Sequence, residues 1–239
     1  MVILLRKRDL LFSVLFCCFF VGLAAVLWRG TAIPAFSPAE EESTIVVIDP
    51  GHGGEDGGAV SPGGVKESQL NLEISLRLND LLRFTGQRTV MTRSVDTSIC
   101  DEGLETVRQR KVSDLKNRVA LVNRQDSAVL LSIHQNSLPS SPVTHGAQAF
   151  CNKQEEAEEL AEFIQEALNC TVNAGNEKHM HKITDSIYLM KNITMPGILV
   201  ECGFLSNRTE TEMLQNPVYQ LRLAAAIAAG YLNGIAETG

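Results

Sequence analysis

Three strand-like runs end in residues that can bind a cation or move a proton. "TIVVID" (44–49) feeds the loop "PGHGGEDGG", with His52 among glycines. "AVLLSI" (128–133) feeds His134, then Gln135 and Asn136. "GILV" (197–200) runs into Glu201 and resumes as "CGFLSN". Imidazole is the commonest metal ligand, and glycines let backbone approach a bound ion closely. A carboxylate ending a buried strand is costly unless paired or metal-bound. Burial also raises its pKa toward the range where a general base works. The His52 loop lacks the lysine and hydroxyl of a P-loop and the order of a dinucleotide loop. Taken singly, His52 also reads as an incidental turn residue and His134 as a satisfied histidine at the core edge. Glu67 opens a long helical segment, where a carboxylate is favourable anyway. Glu55, Asp56 and Glu73 compete with it as an oxygen ligand, and spacing does not choose among them. Two histidines and one carboxylate, with a further glutamate outside the ligand set, form a known catalytic zinc arrangement.

The elements that must position these residues alternate between strand-like and helical. "TIVVID", "RTVMTR", "AVLLSIH", "GAQAFC", "SIYLM" and "GILVEC" read as strands. "KESQLNLEISLRLNDLLRF" alternates in Leu and Ile, but its length and its Leu, Glu and Arg content favour a helix. "RQRKVSDLKNRVALVNRQ" reads as a helix with Val112, Leu115, Val119 and Val122 on one face. "EEAEELAEFIQEALN" is amphipathic through Ala157, Leu160, Ala161, Ile164 and Leu168. "NRTETEML" opens with an Asn207 and Glu210 pair resembling a capping box, and "YQLRLAAAIAAGYLNGI" closes the chain as a helix. The expectation is an α/β fold with a central, mostly parallel (mixed) sheet flanked by helices. Ligands in such sheets bind beyond the carboxyl ends of strands. His52, His134 and Glu201 should therefore converge.

The 239 residues fit one domain plus something small. A net charge of −7 argues against broad nucleic-acid binding. Arg6, Lys7 and Arg8 precede a run without charge from Leu10 to Trp28, about the length of a transmembrane helix, roughly 20 residues. Residues 1–30 are expected to be a cytoplasmic basic tip and a single transmembrane helix, with the N-terminus inside. Residues 31–43, "TAIPAFSPAEEES", form a linker, and 44–239 form an extracytoplasmic catalytic domain. Secretion after signal cleavage is the alternative, although the apolar run is long and no A-x-A site follows it. Cys17 and Cys18 lie in that run. Cys100, Cys151, Cys170 and Cys202 could pair in three ways, although a domain of this size does not require disulfides and free buried thiols are the plainer reading; no CxxC pair supports a zinc ribbon. His145, His179 and His181 sit in polar surroundings and read as surface residues.

Taken together, "VVIDPGHGGEDGGA", "KESQLNLEISLRL", "RVALVNRQDSAVLLSIHQNS", "GAQAF" and "MPGILVECGFLSN" resemble the zinc N-acetylmuramoyl-L-alanine amidases of the amidase-3 family, in order and across essentially the whole folded part. The resemblance implies one Zn²⁺ held by His52, Glu67 and His134, with Glu201 as general base. It implies cleavage of the amide between the lactyl group of N-acetylmuramic acid and L-alanine in peptidoglycan. It also makes Asn136 a candidate to orient substrate. Gln135 departs from the family, which usually has a small residue there, and is a candidate to narrow the cleft or bond substrate. The tethered layout without further domains is similar to the germination branch, which acts in cortex maturation toward muramic-δ-lactam. A sporulation partner is open. A wall-binding scaffold with an inactive site and a stem-peptide carboxypeptidase or endopeptidase are the alternative functions.

Overall fold

The computed structural model describes residues 44–183 and 185–238. The expected anchor and linker, 1–43, lie outside the described residues. No helix among the described residues is long and apolar enough to cross a membrane.

In chain order the elements are β1 (Ile45–Pro50), α1 (Glu67–Phe84), β2 (Thr89–Met91), α2 (Val107–Asn123), β3 (Ala128–Asn136), β4 (Gln148–Cys151), α3 (Glu155–Thr171), β5 (His181–Lys182), α4 (Tyr188–Asn192), β6 (Gly197–Phe204), α5 (Arg208–Leu214) and α6 (Pro217–Thr238). The six strands form one sheet in the order β2-β1-β3-β6-β4-β5. Pairing is parallel throughout except between β4 and β6, which makes the sheet mixed as expected.

Strands β1, β3 and β6 are buried on both faces, so their sequences are near-continuous apolar runs. On one face Val46, Ile48, Leu131, Ile133 and Val200 pack with α1, α3 and α6. On the other, Val47, Leu130 and Leu199 pack with Val122 of α2 and with Leu189 and Met190 of α4. Helix α1 resolves the Leu/Ile alternation by its own period: Leu70, Ile74, Leu78 and Leu82 are buried, whereas Leu76 is exposed.

Two expectations fail. "SIYLM" is not a strand; Tyr188–Asn192 forms the short helix α4. Five residues are too few for periodicity to separate the two states, and helical geometry places Leu189 and Met190 in the core while Tyr188 stays exposed. Helix α2 exists, but Val112 is exposed and Leu115 and Val119 are only half-buried. Its buried residues are Ser113, Asp114, Arg118 and Val122. This helix buries a polar stripe because Asp49 needs a counter-charge, as the site shows.

Candidate functional site

The carboxyl ends of β1, β3 and β6 meet as expected. His134 and Glu201 are direct register partners on β3 and β6. The rings of His52 and His134 lie edge to face with centroids 5.1 Å apart. Glu67, the first residue of α1, reaches both: its Oε2 is 3.3 Å from His52 Nε2 and its Oε1 is 2.9 Å from His134 Nδ1. One donor atom from each of His52, Glu67 and His134 falls within 4.8 Å of the others, the single such group among the described residues.

Each donor is held from behind. Asp56 Oδ2 lies 2.9 Å from His52 Nδ1, leaving Nε2 to face inward. That is the carboxylate–histidine pairing typical of metal ligands. Asp56 also pairs with Lys111 at 3.1 Å. Glu67 accepts hydrogen bonds from Ala59 N at 2.8 Å, Gln135 N at 3.1 Å and Asn71 Nδ2 at 3.3 Å. His134 packs its Nε2 edge against Gly51, where a Cβ would stand 2.3 Å from the ring. At Gly58 a Cβ would fall 2.5 Å from Glu67 Oε2 and 2.7 Å from His52 Cδ2. The glycines of the loop thus make room for the ligand side chains themselves.

The rivals of Glu67 have other partners. Glu55 pairs with Arg110, Asp56 supports His52, and Glu73 accepts from Gln69 and Gln220.

His52 is the one non-glycine with a left-handed backbone among the described residues, at φ 61°. Such a conformation persists only where surroundings enforce it. Two buried arginines do so. Arg118 donates to Pro50 O at 2.9 Å and His52 O at 2.7 Å, and pairs with Asp49 and Asp114 at 2.6 Å each. Arg93 donates to Pro50 O, Gly51 O and Ser68 O. Asp49 is completed by Thr92 and Ser132. Burial works against charge on Asp49, but Arg118 and these hydroxyls outweigh it and hold its carboxyl below the usual range. Sequence reading missed Asp49, Arg93, Asn71 and Arg118. The available signal was an aspartate ending an otherwise apolar strand, with no partner nearby in sequence.

The electrostatics favour a cation. Burial opposes protonation of His52, yet Asp56 and Glu67 raise its pKa to about 9. Burial would raise Glu67, but His134 and His52 hold it well below the carboxylate range. Glu201 differs. Burial, only partly offset by His134, pushes it up to about 7. Its Oε2 is fully buried and has no hydrogen-bond partner among the described residues. Two imidazole nitrogens and one carboxylate oxygen, with a proton-accepting carboxylate alongside, fit a catalytic zinc ion. Beside the histidines a recess of about 80 Å³ has Leu115, Ile187, Leu189, Met190 and Leu199 in its lining.

Asn136 is half-buried two residues beyond His134, and its Oδ1 accepts from Ser137 N. Gln135 does not face the cleft. It is 4% exposed and donates through Nε2 to Asn71 Oδ1. Alternation along β3 turns it toward α1, which corrects its expected contact with substrate. The thiols of Cys100, Cys151, Cys170 and Cys202 are free. His145, His179 and His181 are exposed.

Residues 46–233 match the family described as N-acetylmuramoyl-L-alanine amidase. The germination-specific N-acetylmuramoyl-L-alanine amidase of Bacillus subtilis (strain 168) is 41% identical over 213 residues, spanning 89% of this chain and 86% of that protein. The CwlD amidase of Clostridioides difficile, solved in complex with the GerS lipoprotein, is similar at TM-score 0.78 and 34% identity, covering 82% of this chain and 100% of that one. An N-acetylmuramoyl-L-alanine amidase from Clostridium difficile 630 is similar at TM-score 0.71 and 30% identity, covering 82% and 99%.

Proposed function

Because the chain belongs to the N-acetylmuramoyl-L-alanine amidase family and is a peptidoglycan amide hydrolase, we propose that it works with one zinc ion on His52, Glu67 and His134 and with Glu201 as general base. The observation that carries this reading is the convergence of those three donors beside the half-buried carboxylate of Glu201, whose Oε2 is buried and whose pKa is raised to about 7. Zinc bound there supplies a Lewis acid and lowers the pKa of water at its open position to about 7.

The residues of the chain do the rest. Glu201 accepts a proton from the attacking water as oxygen adds to the lactyl carbonyl carbon. It then delivers that proton to the alanine nitrogen as the C–N bond breaks. The remaining hydroxyl proton follows to the same nitrogen, so the products are a lactyl carboxylate and the ammonium group of L-alanine, and atoms and charge balance. A carboxylate with a pKa near neutrality suits both transfers. Asp56 keeps His52 in the tautomer that presents Nε2. Asn136, beside His134, orients the substrate through its amide.

The 41% identity to a germination-specific amidase supports a role in spore cortex peptidoglycan. Removing the peptide leaves the free lactyl carboxyl that closure of a muramic-δ-lactam requires. The uncharged run from Leu10 to Trp28 after Arg6, Lys7 and Arg8 supports a membrane tether with the catalytic domain outside. Digestion of muropeptides with the zinc-loaded protein tests the activity. Mass spectrometry should find intact stem peptides with a new L-alanine amine. Cleavage inside the peptide would make it a peptidase, and wall binding without products would make it a scaffold.

A further inference from the structure

The geometry points to Gln135 as a positioning residue that fixes the metal site through Asn71. This rests on the zinc reading above and extends it one layer outward, to two buried amides on the far side of Glu67.

Asn71 is fully buried on α1, one turn after Glu67. Its Nδ2 donates to Gly51 O at 3.2 Å and to Glu67 Oε1 at 3.3 Å. One amide thereby ties the His52 loop to the carboxylate ligand. Both of those partners can only accept. The amide must therefore present nitrogen to them, which turns Oδ1 the other way. Gln135 Nε2 meets that Oδ1 at 3.1 Å. The polarity of the chain follows from the chemistry of its ends: carboxylate and carbonyl accept, Asn71 donates, and Gln135 donates to Asn71.

Without Gln135, Gly51 O and Glu67 Oε1 still favour the Asn71 nitrogen over a turned amide, but the buried Oδ1 loses its donor and the amide is held from one side only. The turned amide would set its oxygen against Glu67 Oε1 and Gly51 O, three acceptors with no donor among them. Gln135 also holds Glu67 directly, through its backbone N at 3.1 Å. That bond survives a side-chain substitution, so what the side chain itself adds to the metal site runs through Asn71, its other polar neighbour being the buried thiol of Cys202. The arrangement leaves Gln135 Oε1 buried and without a hydrogen-bond partner among the described residues. The side chain is therefore poorly suited to stabilising the fold by itself.

That asymmetry supplies the test. Gln135→Leu keeps the volume, removes the donor and also removes the unpaired oxygen. In the full chain, the zinc dissociation constant is read by competition with a chromophoric chelator, and metal-free stability by denaturant unfolding. Wild type should bind zinc, and Gln135→Leu should bind about tenfold more weakly, the lower end for outer-layer partners of a metal ligand. Its metal-free stability should be unchanged or raised. Asn71→Ala should weaken zinc binding at least as much, and adding Gln135→Leu to it should weaken it no further. A Gln135→Leu affinity within twofold of wild type overturns the inference, as does full additivity in the double variant. Failure of wild type to bind zinc would instead overturn the zinc reading on which it stands.

Discussion

His134 and Glu201 face each other as direct partners on the parallel strands β3 and β6. This sets a proposed metal ligand beside the proposed base without any loop between them. The backbone that carries the base is therefore fixed by the sheet. Glu201→Gln should keep zinc, because Glu201 is outside the ligand set, and should lower turnover by about 10²–10⁴-fold. Metal analysis together with product release checks both halves. Wild-type turnover in this variant would remove Glu201 from the mechanism.

The same carboxylate makes a prediction about stability in the metal-free protein. Its pKa in the fold, about 7, lies above its ordinary value of 4.5. The protonated form is the one the fold favours. Its stabilising effect is present below pH 4.5 and is lost as pH rises through about 7, a change of about 3 kcal/mol. Glu201→Gln cannot ionise. Unfolding in denaturant with a chelator present should show the variant gaining on wild type between pH 4.5 and pH 7.5. Parallel stability profiles would contradict the burial argument.

Zinc binding should compete with a proton on His52. Asp56 and Glu67 raise that imidazole to about 9, and only the neutral ring can donate to a metal. Below pH 9 the zinc affinity should fall by up to about tenfold per pH unit from this proton alone. Asp56→Asn removes the first of the partners that raise the pKa, so its profile should be flatter. Its affinity at high pH should also be lower, because the ring loses its orienting acceptor. Chelator competition from pH 6 to 9 measures both effects.

Arg118 joins the polar stripe of α2 to the catalytic loop. It is 2% exposed, pairs with Asp49 and Asp114, and bonds the carbonyl of strained His52. Removing one partner of a buried ion pair leaves the other charge uncompensated. Arg118→Met should cost about 3–5 kcal/mol of stability. Arg118→Lys keeps the charge but not the planar fork, so it cannot serve all of these acceptors at once. It should fold yet bind zinc more weakly. Unfolding and zinc titration of the two variants separate charge from geometry.

The legible parts of this molecule were those that hydropathy and strand order encode. His52, His134 and Glu201 each follow an apolar strand, and a largely parallel sheet gathers such residues at one end. By spacing alone Glu67 was not separable from Glu55, Asp56 or Glu73, because a carboxylate at a helix start is ordinary, and the family resemblance makes the choice. Only the fold shows it reaching both histidines. The polar stripe of α2 was not legible, and hydropathy pointed to the apolar residues of that helix as its buried face instead. Arg118 and Asp114 look like a solvated i,i+4 pair, and their burial depends on Asp49, 69 residues from Arg118. Gln135 was likewise invisible in its role, since its partner Asn71 lies 64 residues away.

Gly51 offers the sharpest separation of space from backbone freedom. Its φ is not in the left-handed region, so alanine meets no conformational strain there. The obstacle is the ring of His134, 2.3 Å from the added Cβ. That ring is held by β3 on one side and by Glu67 on the other, so it yields only by turning Nδ1 off the carboxylate. Gly64 is the reverse case: φ is +83° and nothing lies within 4 Å. Gly64→Ala should lose about 1 kcal/mol of stability from backbone strain and bind zinc as wild type does. Gly51→Ala should lose at least about tenfold in zinc affinity, as expected when a ligand is displaced. Equal zinc affinity in the two variants would mean that the open space at Gly51 does not serve the metal site.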